Sequence, residues 1–177
     1  VSTAGVDQVY VSTGGGTGQW VDIGNYVAGA YCCMYLDPQG QTRSFPTADV
    51  FEHFSLDYTT TPECVNLEWN NTEKYFEYLG SKDIVINLNG TLSLQYDGTG
   101  GPTFDVIVQR YTGTAWEDVM RSLSSSKFDN NFISYMGISC LTTISSGTRF
   151  RLAARSDEAG ADFTARNINV TIIGLVT

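Results

Sequence analysis

The segment from Ile84 to Leu94 constrains the fold more than any other part of the chain. Ile84, Ile86, Leu88, Leu92 and Leu94 fall at alternate positions, and Asn87, Asn89, Thr91 and Ser93 lie between them. A period of two sends one set to each side of an extended chain, so the segment reads as a strand with one buried and one polar face. Gly90 interrupts the apolar series and is expected to mark a bulge or a close backbone approach. A half-buried strand cannot stand alone, and the rest of the chain supplies its partners.

Downstream, Asp97–Pro102 is a glycine-rich turn. Phe104, Val106 and Val108 then alternate with Asp105, Ile107 and Gln109. Thr112–Thr114 turns into a short run, Ala115–Met120, and Ser122–Asn131 reads as a polar loop. Phe132–Ile144 is a strand. Thr148–Ala154 is another, with Phe150 and Leu152 inward and Arg149 and Arg151 outward. Ser156–Asp162 is an acidic loop, and Ile168, Val170 and Ile172 belong to the last strand. Upstream, Ala30–Leu36 is continuously apolar or aromatic, as in a strand buried on both faces. Asp37–Gly40 is a turn. Asp49–Leu56 is either an irregular strand or one helical turn. Val65–Trp69 alternates, and Lys74–Leu79 resumes as a strand after Asn70–Asn71. No segment has a helical period, and two antiparallel sheets packed face to face are the expected solution.

Residues 1–25 differ in character from the rest of the chain. Val9, Tyr10 and Val11 form one β-prone run, and a second run contains Trp20, with Thr13–Gly18 as a glycine-rich turn between them. This reads as a small hairpin arm ahead of a head domain at residues 26–177. The glycines lack the Lys-Ser/Thr that completes a phosphate-binding loop.

The chain has 10 Lys and Arg against 19 Asp and Glu, a net charge of −9. An acidic surface disfavours nucleic acid and anionic membranes. No run approaches the length of a membrane span, so membrane insertion is not expected. Cys32, Cys33, Cys64 and Cys140 show no metal-binding spacing, and His53 is the one histidine. Buried reduced thiols are the expected state, with one bridge through Cys64 as the alternative.

The strand Ile84–Leu94, the segments Thr103–Arg110, Phe132–Leu141 and Ser145–Leu152, and the terminal Ile168–Leu175 together resemble the jelly roll of tumour-necrosis-factor-like ligands and complement globular heads. They are most similar to the versions found in trimeric bacteriophage fibre, spike and capsid decoration proteins. Asp7–Ser12, the glycines and Gln19-Trp20 resemble a hairpin common in phage fibre proteins, with Asp7 where glycine is usual. The resemblance implies an all-β, antiparallel two-sheet jelly-roll sandwich that assembles as a homotrimer. The implied function is that of a non-enzymatic virion structural protein, a capsid decoration, head-fibre or tail-fibre head on the virion surface, assembled in the host cytoplasm. Its implied partners are its own copies, a major capsid or other virion protein held by the arm, and a host-cell glycan or protein. A secreted cellular ligand or lectin-like carbohydrate-binding module on the same fold is the alternative, and a disulfide would favour it.

With 10 Tyr, 9 Phe and 3 Trp, the chain has more aromatic mass than one thin sandwich needs. Tyr31, Tyr35, Phe76, Tyr78, Tyr135 and Phe163 are therefore candidates for the trimer interface. Val9, Tyr10, Val11 and Trp20 are candidates for the attachment arm. Thr112, Thr114, Asn130, Asn131, Asp157 and Glu158 are candidates for exposed binding loops. No catalytic residue is expected, because His53 has no Gly-x-Ser-x-Gly elbow to serve. No cofactor is expected either. Calcium held by Asp157, Glu158 and Asp162 is the one cation considered, and the spacing of a helix–loop–helix calcium site is absent.

Overall fold

A computed structural model of the chain describes residues 8–14, 17–22, 29–36, 41–54, 63–129 and 132–176. Two antiparallel sheets form the head. The first carries β3 (Ala30–Leu36), β4 (Gln41–Phe45), β6 (Glu63–Val65), β9 (Ile84–Tyr96), β13 (Ile133–Ile144) and β15 (Ala161–Val176), in the order β13-β9-β15-β3-β6 with β4 also on β15. The second carries β5 (Glu52–His53), β7 (Leu67–Asn70), β8 (Tyr75–Tyr78), β10 (Thr103–Tyr111), β11 (Trp116–Asp118), β12 (Ser124–Lys127) and β14 (Arg149–Ser156). Its order is β11-β10-β14-β8-β7, with β12 on β10 and β5 on β14. A separate hairpin pairs β1 (Gln8–Gly14) with β2 (Thr17–Asp22), placing Val9 opposite Val21 and Tyr10 opposite Trp20.

The alternation of β9 becomes its register. Ile84, Ile86, Leu88, Leu92 and Leu94 are buried between the sheets, and β13 and β15 flank the strand along its length. Gly90 is a point of close approach and not a bulge. A Cβ there would lie 2.8 Å from Ile138 Cγ2, while pairing to Ile138 and Val170 continues unbroken. The bulge falls instead in β15, between Ala165 and Asn167.

Aromatic rings fill one end of the core. Phe104 and Phe163 have centroids 4.6 Å apart, Phe128 and Phe163 5.1 Å, and Phe45 and Phe104 5.5 Å. Phe76 stacks on Phe150 at 5.4 Å elsewhere in the core. The aromatic surplus is thus largely absorbed within one chain.

Several expectations are corrected. β3 is buried on one face only: Ala30, Cys32 and Met34 point into the core, while Tyr31 and Cys33 are partly exposed on the other side. Val65–Trp69 is two strands, because Asn66 takes a left-handed conformation (φ 53°) between β6 and β7. The polar stretch after Ser122 contains β12, whose serines pair with β10. Cys32 and Cys64, opposite each other in the β3–β6 register, form a disulfide, whereas Cys33 and Cys140 are free. The turn expected at Asp37–Gly40 and the junction near residue 25 lie outside the described residues. Among the described residues, no helix is long and apolar enough to cross a membrane.

Candidate functional site

The outer face of the β13-β9-β15-β3 sheet is built from the polar half of each alternating strand. Register pairs align its residues in rows across the sheet. Tyr135, Ser93 and Asn167 form one row, and Gly137, Thr91 and Asn169 the next. Ser139, Asn89, Thr171 and Cys33 come third, then Leu141, Asn87, Ile173 and Tyr31, then Thr143, Val85 and Leu175. None of these residues carries a formal charge; charges border the rows, with Arg166 donating its Nε–H to Gln95 Oε1 at 3.0 Å and Glu63 on the edge strand β6 opposite Cys33. Large apolar side chains are nevertheless out in solvent: Tyr135 is 78% exposed, Leu141 68% and Leu175 59%. A shallow cleft of about 650 Å³ runs beside Tyr135 over Thr91, Ser93, Gly137, Asn167 and Asn169.

Of the residues expected at a trimer interface, Tyr135 and Tyr31 lie on this face, and Tyr35 lies in β3 opposite Asn169. Phe76, Tyr78 and Phe163 do not. They are 2%, 2% and 1% exposed within a single chain, because each falls on the inward-facing phase of its strand. They are core residues, and the expectation for them is corrected. Sequence reasoning missed Leu141, Ile173 and Leu175. Their signal was apolar residues placed in the polar phase of otherwise alternating strands.

The outer face of the second sheet is charged. On β14, Arg149, Arg151 and Arg155 point outward, as expected for the first two. Arg149 pairs with Glu77 and Arg155 with Asp105, at 3.0 and 2.8 Å. The Arg151 Nε–H donates to Gln109 Oε1 at 3.0 Å. Beside Arg151 lies a second cleft of about 260 Å³, lined by Glu73, Tyr75, Tyr111, Trp116, Arg149 and Arg151. His53 lies partly buried on β5 at the β14 edge. Burial, then the nearby Arg151 and Arg43 guanidiniums, hold its pKa below the usual imidazole value.

The loop candidates separate to two ends of the molecule. Thr112 and Thr114 are exposed in the β10–β11 turn, where the Thr112 N–H and hydroxyl both donate to the Ala115 carbonyl. Asp157 and Glu158 lie at the other end of β10. There the Thr103 N–H donates to Asp157 Oδ1 at 2.7 Å, and the Tyr96 hydroxyl donates to Glu158 Oε2 at 3.5 Å. Asp157 and Glu158 are thus occupied by local donors, and among the described residues no group of three or more His, Cys, Asp or Glu is placed to hold a metal ion. Asn130 and Asn131 lie outside the described residues. Val9, Tyr10, Val11 and Trp20 fall in the paired hairpin.

No family model and no curated protein matches the chain. Among solved structures, it is similar to the Eiger TNF of S. frugiperda, with a TM-score of 0.53 and 12% identity over 83% of this chain and 92% of that one. It is also similar to murine APRIL. The structure at pH 5.0 gives a TM-score of 0.51 and 12% identity over 80% of this chain and 98% of that one. The structure at pH 8.5 gives 0.50 and 12% over 81% and 98%. At this identity the likeness establishes the fold, a TNF-like jelly roll.

Proposed function

We propose that this TNF-like jelly roll is a non-enzymatic, self-associating head that assembles as a homotrimer through the uncharged outer face of β13, β9, β15 and β3. The observation that carries the reading is the composition of that face. The chain has 29 charged residues in all, yet the rows from Val85 to Ser93, Ile133 to Thr143 and Asn167 to Leu175 hold none on the outer side. Charge depletion with exposed aromatic and aliphatic side chains is the signature of an interface core. A second copy of the same face is the occupant argued for, since it offers matching apolar rows and no unpaired charge to bury.

Light scattering on a gel-filtration column tests the reading. A mass of three chains is expected, and Leu141→Asp is expected to return a folded monomer. A monomeric parent chain would overturn the interface.

The finer assignment is a bacteriophage virion protein, a decoration or fibre head projecting from the particle and held by the β1–β2 arm. It rests on the resemblance of the arm and head to phage fibre proteins. The alternative is a secreted cellular ligand, and the Cys32–Cys64 pair favours it, because disulfides persist in oxidising compartments. Thiol alkylation and mass measurement on chain taken from its native source separates the two. Blocked Cys32 and Cys64 support the secreted ligand, and free thiols support assembly in a reducing cytoplasm.

A further inference from the structure

The arginines of β14 form a repeated device with one irregular member. Each guanidinium lies over an aromatic ring: Arg149 over Tyr75 at 5.1 Å, Arg151 over Trp116 at 4.1 Å and Arg155 over Phe51 at 4.6 Å. Each Nε–H also donates to an acceptor on a neighbouring strand, namely Glu77, Gln109 and Asp105 in that order. The outer two acceptors are carboxylates and neutralise their arginines. The middle one is a carboxamide. Gln109 is fixed in that orientation because its own amide donates to Asp118 Oδ1 at 2.8 Å. Among the described residues, Arg151 therefore has no carboxylate partner, and burial pushes its pKa down. A half-buried cation with no carboxylate bonded to it is costly and is a candidate to receive an anionic group, although the carboxylate of Glu73 also lines its cleft.

That place is the cleft of about 260 Å³ at the same arginine. Its walls are unusual for a simple anion site. Tyr111 and Trp116 face each other across the β10–β11 turn with ring centroids 5.2 Å apart, and Tyr75 lies 6.1 Å from Trp116. The exposed lining is more polar than apolar: Arg149 and Arg151 offer N–H donors, Glu73 offers an acceptor for hydroxyls, and the rings, with Tyr75 and Trp116 each covered on one face by an arginine, offer the remaining apolar contact. The volume falls below the roughly 300–1,000 Å³ of sites for drug-sized ligands, so one small ring fits and a folded peptide does not. Among the described residues the hydrogen bond of Arg151 is made by Nε and none is made by its Nη atoms, and a planar guanidinium edge matches a carboxylate with two parallel hydrogen bonds.

We propose that this cleft binds the terminal carboxylated sugar of a glycan, with the carboxylate on Arg151, the sugar ring against Tyr111 and Trp116, and hydroxyls on Glu73. The inference goes beyond the proposed function and does not depend on the trimer. The site adjoins Thr112 and Thr114, one of the three loop groups singled out in the sequence.

The test is a saturation-transfer NMR titration of the full chain with sialyllactose, a glucuronate disaccharide and neutral lactose. Binding of at least one carboxylated probe is expected, with lactose roughly 10-fold weaker or more. Arg151→Gln is expected to weaken the carboxylated probe by roughly 10-fold or more, and Arg151→Lys, which keeps the charge but not the planar edge, by several-fold. Arg110→Gln, at the exposed position of β10 and outside the cleft, is expected to bind as the parent does. The site is overturned if neither carboxylated probe binds the parent, if lactose binds equally well, or if a folded Arg151 variant keeps full affinity. Light scattering on the same samples keeps the two readings apart. A trimer that ignores both acidic probes removes the sugar site alone, and a monomer that binds one removes the trimer alone.

Discussion

Two glycines show how tightly single positions are fitted. A Cβ at Gly174 would sit 2.5 Å from Ile84 Cδ1 and 3.1 Å from the Ala30 backbone nitrogen, and one at Gly90 would meet the stiff, β-branched Ile138. Overpacking of this kind costs about 1–3 kcal/mol. Gly90→Ala is expected to lower the unfolding free energy by that amount, read as a lower urea midpoint at an unchanged slope, and an unaltered midpoint would mean that Ile138 moves aside freely. His53 makes a different prediction. Its folded pKa lies below the ordinary value of 6.5, chiefly through burial and then through Arg151 and Arg43, with Glu52 opposing. The unfolded chain therefore takes up the proton first. The stability that depends on neutral His53 is complete above pH 6.5 and is lost as pH falls from there through the folded value. His53→Gln is expected to flatten stability against pH in that window, and denaturation curves at pH 7.5 and 5.5 check it. Cys140 is buried and its thiol is pushed up by that burial, so it is expected to resist alkylation until the chain unfolds.

Among the elements, β13 and β9 carry the interface argument and β3 with β6 the covalent one. The Cys32–Cys64 bridge closes a separation of 32 residues. Reduction is expected to cost about 2–4 kcal/mol, read as the change in denaturation midpoint with and without dithiothreitol. How far each element was legible depended on how its residues were chosen. In β9 a single face is buried over 13 residues, so the alternation was plain. β12 is Ser-Ser-Ser-Lys and carries no apolar signal; its extended form comes from pairing with β10, which local pattern does not encode. β3 departs from its sequence pattern because Tyr31 and Cys33 look like core residues, yet they belong to the face left open. The outward arginines of β14 were visible, but the cleft beside Arg151 was not. Its rings come from β8, β10 and β11, and the sheet order alone brings them to one arginine.

At the scale of the whole molecule, the contrast between an acidic chain and a charge-free face sets the expected response to salt. Copies carrying −9 each repel one another, and no ion pair across the proposed interface is available to be screened. Molar salt is therefore expected to leave the assembly intact or tighten it, as sedimentation at low and high ionic strength would show. Dissociation on added salt would point to a charged interface elsewhere. The strand order also sets how the head is made. β15 lies between β9 and β3, so the sheet's central member comes from residues 161–176 and its neighbours from residues 84–96 and 30–36. Until that late segment leaves the ribosome, β9 and β3 have one edge unpaired and no centre to join. Pairings between segments so distant in sequence are slow to form, because closing the long loops costs entropy before any contact rewards it. A nascent chain of this kind would therefore wait, half-sheeted and exposed, and then acquire its head in one late step.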